Sequence, residues 1–352
     1  MHYKKLLFVS TPVGPLGGGT GGGVELTLYN CLKALQKKGY FIDVVAPLGS
    51  KLEGASLHQI AGELEKSIQE QSPADPITVY NNSVLSNMWQ YVREIEQDYD
   101  LVVNFSFDWL PLYLTPFLKK NVAHLISMGS LSNLIDTAIE KVLKHFPYTV
   151  AVHGKIQAQT FSFCDQLLCL GNGLDIDQYQ FCAQPQDYLA WVGRISPEKG
   201  LEDAVAAAQM SNIPLRIFGL MQNRDYFDRI CASYPNAPIE YGGFLSTAQL
   251  QDQLKFARAL LMTPHWVEAF GNVAIEAMAC GVPVIAYRRG GPTEIVQDGR
   301  TGYLVEPDDI SAIVSAISRI DKIDRWLCRE QAQLFYSLDS LGDRLESWFN
   351  KI

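Results

Sequence analysis

The chain has 352 residues, of which 47% are hydrophobic and 19% are charged, and its net charge is -9. This length exceeds that of a typical single core and predicts two domains, and the composition is that of a globular protein. The negative charge argues against non-specific nucleic-acid binding, which needs clustered Lys and Arg to neutralise phosphates.

The N-terminus and the cysteines indicate the compartment. The apolar run Leu6–Val9 is too short for a signal-peptide core and predicts a buried strand instead. No run approaches the roughly 20 apolar residues of a membrane span. Seven cysteines, without a Cys-x-x-Cys motif, are typical of a reducing compartment. We expect a cytoplasmic protein without a membrane span, and no segment indicates an oligomeric state.

Short apolar runs alternate with helical-period segments in the first half, as in a parallel sheet covered by helices. The predicted strands are Leu6–Ser10, Phe41–Ala46, Leu101–Phe105 and Val122–Ile126. Apolar residues at helical spacing from Val24 to Leu35 predict a helix that ends at Gly39. Residues 50–77 are polar, and we expect them to be helical in part.

A change of composition around residues 169–187 predicts a linker between two domains, 1–170 and 171–330. The second half is predicted to contain strands Tyr188–Val192, Leu215–Gly219, Ala259–Met262 and Pro283–Tyr287, with helices Leu201–Gln209 and Thr247–Ala257. The fold class is therefore α/β, with two Rossmann-like domains whose parallel sheets face each other across a cleft. Ligands gather at the C-terminal ends of such strands.

A glycine-rich loop, residues 14–23, lies between the first strand and the first helix. Bare backbone and a helix N-terminus can both approach a phosphate closely. Gly17-x-Gly19-x-x-Gly22 also fits the dinucleotide fingerprint, with Asp43 at the spacing of a ribose contact. However, residues 11–16 intervene, whereas the first glycine of a dinucleotide site follows its strand at once. We favour a loop over some phosphate; an NAD(P) site and a plain surface loop stay open.

Two cations, Arg194 and Lys199, flank a Ser-Pro turn directly after a predicted strand. Fixed cations in a poorly hydrated site stabilise a leaving diphosphate. The alternative is a solvated helix start with a surface pair between Glu198 and Lys199. The segment described next favours the diphosphate role.

The segment Glu268-Ala-Phe-Gly-Asn-Val-Ala-Ile-Glu276 contains two acids and the start of a helix. The backbone N–H groups of Phe270, Gly271, Asn272 and Val273 can point at phosphate or sugar oxygens. Glu276 falls on an otherwise apolar helix, where a buried carboxylate is costly unless a ligand or partner satisfies it. Vicinal ribose hydroxyls would do so. A glycoside hydrolase is disfavoured, because its two acids flank the scissile bond from opposing surfaces.

Two further motifs leave alternatives open. The turn Gly290-Gly291-Pro-Thr-Glu294 either closes the wall of the site or binds the donor. Asp175-x-Asp177 looks like the metal motif of other sugar transferases, but it lies in the linker without companion acids. We therefore interpret it as structural and predict no metal.

The first domain offers few acceptor-side candidates. Asp108, at a strand end, either faces the acceptor or is a surface acid beside a packed Trp109. His124 lies within a predicted strand and is either displaced into a catalytic role or a core residue, which is the commoner case. His153 and His265 lie nearer predicted loops and stay undecided.

These residues resemble the family 4 glycosyltransferases, retaining enzymes of the GT-B fold. The resemblance covers nearly the whole chain and is strongest over Trp191–Gly200 and Glu268–Pro307. Its most specific stretches are Glu-Ala-Met-Ala-Cys-Gly-Val-Pro-Val-Ile from Glu276 and Asp-Gly-Arg-Thr-Gly-Tyr-Leu-Val from Asp298. Gly22-Gly23-Val-Glu25 is similar to the family's N-terminal loop, and Asn172-Gly-Leu-Asp175 to its interdomain segment.

The resemblance implies roles for these residues. Arg194 and Lys199 would hold the donor diphosphate and Glu276 the ribose, while Glu268 and the backbone of residues 270–273 would face the transferred sugar. Gly22 and Gly23 would also serve the donor. The family needs no bound metal or cofactor, and its leaving phosphate is thought to accept the acceptor's proton. Residues 331–352 would return as a helix to the first domain.

One departure concerns a histidine that many members carry at the end of the strand corresponding to Val122–Ile126; here that end is Ser127-Met128. The stretch from Ser10 to Thr27 is also similar to a cyanobacterial branch that glucosylates pteridines such as tetrahydrobiopterin. The aromatic residues Phe105, Phe107, Trp109 and Tyr113 could stack on a flat acceptor, or pack in the core.

The sequence thus predicts transfer of a hexose to a hydroxyl of a small acceptor. We interpret the hexose as glucose and its donor as UDP-glucose. The alternatives are a lipid or polysaccharide acceptor, an NAD(P)-dependent oxidoreductase that uses the glycine loop, and a nucleotide-sugar-binding protein without catalysis.

Overall fold

The computed structural model describes residues 4–18, 22–66 and 80–352. The chain forms two compact units: residues up to Gly173 together with Leu338–Ile352, and Leu174–Ser337. The sequence placed these divisions at 170/171 and 330/331. Each unit is built on a parallel sheet covered by helices, so the predicted α/β class with two Rossmann-like domains is confirmed.

The first unit contains a seven-stranded parallel sheet in the order β3-β2-β1-β4-β5-β6-β7. Its strands are β1 Lys5–Val9, β2 Phe41–Pro47, β3 Ser56–Ile60, β4 Leu101–Asn104, β5 Val122–Ile126, β6 Val150–Val152 and β7 Leu168–Cys169. Its first helices are α1 Gly23–Lys37, α2 Val84–Ile95, α3 Trp109–Leu114, α4 Asn133–His145 and α5 Lys155–Ala158. Strands β4 and β5 are buried at every residue, because helices cover both faces of the sheet.

The second unit contains a six-stranded parallel sheet in the order β10-β9-β8-β11-β12-β13. Its strands are β8 Leu189–Val192, β9 Leu215–Phe218, β10 Ile239–Gly243, β11 Ala259–Met262, β12 Val284–Tyr287 and β13 Gly302–Val305. Its helices are α6 Leu201–Ser211, α7 Arg224–Ser233, α8 Thr247–Leu254, α9 Asn272–Ala279, α10 Pro292–Ile295, α11 Ile310–Ser318 and α12 Arg325–Tyr336. In each sheet the strand order reverses beside the first strand, which is where such sheets bind ligands.

The sequence missed several short strands. Within residues 50–77, expected to be helical in part, the structure has the strand β3, and residues 67–79 lie outside the described ranges. This strand is only half-buried at the sheet edge, and just two of its five residues, Leu57 and Ile60, are apolar. Strands β6 and β7 span three and two residues, too few for a periodic pattern.

The last helix, α13 Leu338–Phe349, belongs to the first unit, where the resemblance placed the C-terminal segment. Its Leu341 and Trp348 lie in the same core as Leu35 of α1. The Trp348 indole N–H donates to the carbonyl of Tyr148 at 2.7 Å. Helix α13 is therefore part of the core of the first unit. In the described ranges, no helix combines the length and the apolar character needed to cross a lipid bilayer.

Candidate functional site

The carboxyl edge of the second sheet brings two distant predicted segments together through a backbone contact. Gly200, which follows the turn after β8, has a φ of 63°. A Cβ there would lie 1.9 Å from the carbonyl oxygen of Thr263, at the end of β11. The Thr263 hydroxyl donates to the Gly200 carbonyl at 2.6 Å. Only glycine allows this approach, which places Lys199 beside the loop that carries Glu268.

Lys199 and Glu268 form an ion pair at this edge. Their Nζ and Oε2 atoms are 2.5 Å apart, and the side chains are only 19% and 17% exposed. The Trp266 indole N–H donates to the same oxygen at 3.1 Å, and the Lys199 ammonium lies 4.7 Å from the Trp266 ring centroid. Two residues predicted for different parts of a ligand thus neutralise each other here.

Trp266 was not among the predicted residues. Its sequence position, two residues before Glu268 in a loop that follows a buried strand, was the available signal.

Arg194 belongs to a separate polar group in the turn after β8. Its guanidinium donates to Glu198 at 3.2 Å and to the Gln222 side-chain oxygen at 3.0 Å. The Ser196 hydroxyl donates to the same Glu198 oxygen at 2.7 Å. The alternative of a Glu198–Lys199 surface pair is therefore wrong, because Glu198 pairs with Arg194 and Lys199 with Glu268.

Helix α9 carries Glu276, which is 6% exposed. The Tyr179 hydroxyl donates to its Oε1 at 3.0 Å. Burial raises the pKa of Glu276 to about 7, and the hydrogen bond from Tyr179 acts in the opposite direction. Tyr179 was missed, since a tyrosine in a predicted linker gives no sequence signal. The carboxyl group therefore lies near the midpoint of its titration at neutral pH.

The start of α9 follows a glycine in the left-handed conformation. Gly271 has a φ of 98° and no side chain that could cap the helix. Phe270 precedes it, and Asn272 and Val273 form the first turn. Such a start suits an anionic ligand, because the dipole and the first N–H groups of a helix favour negative charge.

The turn after β12 holds this loop in place. The Gly291 N–H donates to the Glu268 carbonyl at 2.7 Å. A Cβ on Gly290 would lie 2.5 Å from backbone atoms of Glu268, and one on Gly291 would lie 2.1 Å from the Phe270 carbonyl oxygen. Of the two roles left open for this turn, the glycines serve the structural one by fixing the backbone of Glu268 and Phe270.

The first unit places the predicted glycines at the beginning of α1. Gly22 has a φ of 56° and precedes the helix, which Gly23 opens. The Gly17 N–H donates to the Glu25 carboxylate at 3.1 Å. Residues 19–21 of the predicted phosphate loop, including Gly19 of the dinucleotide pattern, lie outside the described residues.

Asp108 begins helix α3, after β4. Its carboxylate accepts a hydrogen bond from the Leu110 N–H at 3.2 Å. Burial raises the pKa of Asp108 to about 7, and the neighbouring Glu65 carboxylate acts in the same direction. Asp108 is thus a helix cap with a raised proton affinity at the carboxyl edge of the sheet.

His124 is a core residue. It is 0% exposed, its Nδ1 lies 3.1 Å from the Asn104 amide nitrogen, and its Nε2 lies 2.9 Å from the Thr115 hydroxyl. Burial lowers its pKa to about 3. These contacts contradict the acceptor-side role for His124, because the ring presents no surface to a ligand, and they support the core alternative.

The described residues contain one group with metal-ligand geometry, and it is already hydrogen-bonded internally. Asp203, His265 and Asp308 place ligand atoms within 4.8 Å of one another. The Tyr287 hydroxyl donates to Asp203 at 2.6 Å, and Arg289 pairs with Asp308 at 2.8 Å. Asp203 also binds His265 at 3.0 Å, so this group holds the loop that carries Trp266 and Glu268.

The Asp175 motif behaves as a local turn. The Asp175 carboxylate accepts a hydrogen bond from the Gln178 side-chain amide at 2.8 Å. Asp175 immediately precedes the short helical turn Ile176–Gln178, and Gln178 is the last residue of that turn. This contact agrees with a structural role.

Comparisons with known proteins find similar sequences and similar folds. Residues 178–332 match the family model described as "Glycosyl transferases group 1". A lipopolysaccharide 1,2-N-acetylglucosaminetransferase from Salmonella typhimurium is 24% identical over 99% of this chain and 100% of its own. A D-inositol 3-phosphate glycosyltransferase from a Mycobacterium species is 32% identical over 52% of this chain and 43% of its own.

The similarity of the fold extends over the whole chain. The Anabaena protein HepE, solved in complex with UDP and glucose, superposes with a TM-score of 0.78 over 99% of this chain and 100% of its own, at 15% identity. The two parallel α/β units are therefore those of a GT-B glycosyltransferase fold, and the second unit contains the part that matches the group 1 glycosyltransferase family.

The close contact of Gly290 with the Glu268 backbone leads to a stability prediction with a matched control. Gly290→Ala should destabilise the protein by about 1–3 kcal/mol more than Gly299→Ala. Both glycines have positive φ values, 72° and 75°, but a Cβ at 299 meets nothing within 4 Å. The control therefore carries only the backbone strain of about 1 kcal/mol. Urea denaturation measures the difference in the free energy of unfolding. Equal decreases in the two variants would show that the Glu268 backbone leaves room for a Cβ at position 290.

Proposed function

We propose that this protein is a retaining glycosyltransferase of family 4 that transfers glucose from UDP-glucose to a hydroxyl of a small acceptor. The observation that carries the proposal is the contact of Lys199 with Glu268 at the carboxyl edge of the second sheet. A nucleotide-sugar offers a diphosphate to the ammonium and sugar hydroxyls to the carboxylate. Each member of the pair would then exchange its partner for a matching group of the donor.

The chemistry follows from where charge develops. As the bond between the anomeric carbon and the phosphate oxygen breaks, negative charge grows on the diphosphate. Lys199, Arg194 and the N–H groups at the start of α9 stabilise that charge, and a poorly hydrated setting strengthens the effect. The acceptor oxygen bonds to the same face of the anomeric carbon, which retains the configuration, and the leaving phosphate takes the acceptor's proton. The cations of the protein supply the positive charge that a metal would otherwise provide.

The two glutamates would bind different parts of the donor. Glu268, in the loop after β11, accepts hydrogen bonds from the hydroxyls of the transferred sugar. Glu276, one turn inside α9, accepts them from the vicinal ribose hydroxyls, which makes its burial less costly. Gly22 and Gly23, at the start of α1, would also bind the donor.

A flat acceptor such as a pteridine is favoured by an aromatic surface in the first unit. The rings of Trp109 and Tyr113 stack with centroids 4.6 Å apart, and Tyr113 is 50% exposed. Phe105 does not take part, because it is buried and packs on Phe8 at 5.0 Å. An exposed aromatic face next to Asp108 suits a planar heterocycle.

The alternatives differ in their support. A relative that aligns with 99% of the chain is named for lipopolysaccharide, so a saccharide or lipid-linked acceptor is the second candidate. An NAD(P) site is disfavoured by Asp43. This acid lies within β2 rather than at its carboxyl end, and its carboxylate accepts a hydrogen bond from the Tyr99 hydroxyl at 2.7 Å.

The first test removes the ion pair. Lys199→Ala and Glu268→Ala should each lower the rate of product formation by about 100-fold or more, the usual effect of losing one transition-state contact. The exposed pair Arg224–Asp228 on α7 provides the control, and Arg224→Ala and Asp228→Ala should keep the parental rate. Chromatography of the products and circular dichroism separate lost chemistry from lost fold. Parental turnover in both Lys199→Ala and Glu268→Ala would contradict the proposed function.

A ligand panel tests the donor and the reaction class. UDP should raise the melting temperature more than GDP, ADP or NAD⁺ at the same concentration, because stabilisation follows affinity. Transfer from UDP-glucose to biopterin, to oligosaccharides and to glycerol is then measured, with the anomeric configuration of the product determined by NMR. Stabilisation by NAD⁺ without stabilisation by UDP would favour the oxidoreductase, and an inverted product would contradict the retaining mechanism.

The raised pKa of Glu276 predicts that donor binding depends on pH. The pKa of its carboxyl is raised to about 7 in the free protein, whereas hydroxyls of a ribose bind the ionised form. UDP affinity should therefore rise with pH through 7, by about tenfold from pH 6 to pH 8, with release of a proton. Calorimetry of the parent and of Glu276→Gln separates this effect from the titration of UDP itself, which both proteins share. Identical pH profiles would contradict the ribose role of Glu276.

A further inference from the structure

The carboxyl edge of the first sheet contains a serine and a histidine in contact. Strands β5 and β6 are parallel neighbours, with Ile126 opposite Val152. Ser127 follows Ile126 and His153 follows Val152, so these two residues lie side by side where both strands end. The Ser127 hydroxyl lies 2.9 Å from the His153 Nε2.

The tautomer of His153 follows from its other partner. Its Nδ1 lies 3.1 Å from the Gly171 carbonyl oxygen, which can only accept a hydrogen bond. Burial lowers the pKa of His153 to about 4, although the contact with Gly171 acts in the opposite direction. The ring is thus neutral at pH 7, with its proton on Nδ1. The Nε2 atom is then unprotonated and must accept a hydrogen bond from the Ser127 hydroxyl.

A buried glutamine holds both strand ends in this arrangement. Gln157 is 0% exposed, and its amide oxygen accepts the His153 backbone N–H at 2.7 Å. Its amide nitrogen donates to the carbonyls of Ile126 and Met128, each at 2.8 Å. These carbonyls lie immediately before and after Ser127. The spacing of serine and histidine is therefore set by the backbone on both sides.

The contact determines what Ser127 can offer to a ligand. A serine hydroxyl has one proton and two lone pairs. With its proton donated to His153, the oxygen can act only as an acceptor toward other groups. Ser127 is half-buried, so the oxygen lies within reach of the surface at this edge.

We propose that Ser127 accepts a hydrogen bond from a hydroxyl of the acceptor substrate, and that His153 is a positioning residue that keeps the Ser127 proton turned away. The proposal rests on the proposed function, which it extends to the acceptor. It selects acceptors that donate a hydrogen bond at this point, such as alcohols. His153 is not the final proton acceptor, since a buried imidazolium is disfavoured.

Kinetic tests use acceptors that do not depend on the natural one. Hydrolysis of UDP-glucose and transfer to glycerol are measured at saturating UDP-glucose. Ser127→Ala should lower both rates about tenfold, the effect of one hydrogen bond, without changing the KM for UDP-glucose. His153→Leu should do the same, whereas His153→Gln should recover most of the rate, since its amide oxygen can accept the Ser127 proton. Ser130→Ala is the control, because that hydroxyl donates to Asp136 at 2.5 Å.

A measurement without turnover tests the premise. Nitrogen-15 NMR of the parent protein should show His153 as the Nδ1–H tautomer at pH 7, and the Nε2–H tautomer would overturn the proposal. Unchanged rates in Ser127→Ala would also overturn it. Failure of UDP to bind the parent protein would instead overturn the proposed function, and the proposal for Ser127 with it.

Discussion

The close approach of Gly200 to Thr263 is the constraint on which the second unit's site depends. A turn that follows β8 and the end of β11 share a space too small for a Cβ. The residue before that glycine is Lys199, and the loop after Thr263 reaches Glu268 within five residues. The glycines after β12 contact the backbone of the same loop. The ion pair is therefore positioned by backbone contacts.

The site manages its charges in two different ways. The proposed ligand, with a diphosphate and two sugars, needs cations and carboxylates in one place, and these must be stable when no ligand is bound. Lys199 and Glu268 neutralise each other, and this pairing offsets the cost of burying two charged side chains that are only 19% and 17% exposed. Glu276 has the Tyr179 hydroxyl as its partner instead of a cation, and burial makes its carboxyl a weak acid. One acid thus has an ammonium as its partner, and the pKa of the other is raised by burial.

Sequence reasoning reached the fold class and four of the six strands of the second unit because these depend on local patterns. Buried strands such as β11 form uninterrupted apolar runs, and the Glu268–Glu276 segment contains its own helix start. What it missed depends on contacts between distant residues. The sequence around Tyr179 does not predict that its hydroxyl contacts Glu276. Likewise, the sequence around His124 does not predict that Asn104 and Thr115 contact its ring. Short strands such as β7 escaped because two residues cannot show a period.

The path of the chain has a consequence for synthesis. Residues 174–337 form a unit that is inserted within the sequence of the other, and its two ends meet, where the Leu174 N–H donates to the Tyr336 carbonyl at 2.7 Å. The first unit needs α13, which contributes Leu341, Leu345 and Trp348 to its core. On the ribosome, where domains fold as units as they emerge, the unit begun first must wait for the last residues. The unit begun second is the first whose sequence is complete, so residues 174–337 precede the other unit in the order of folding.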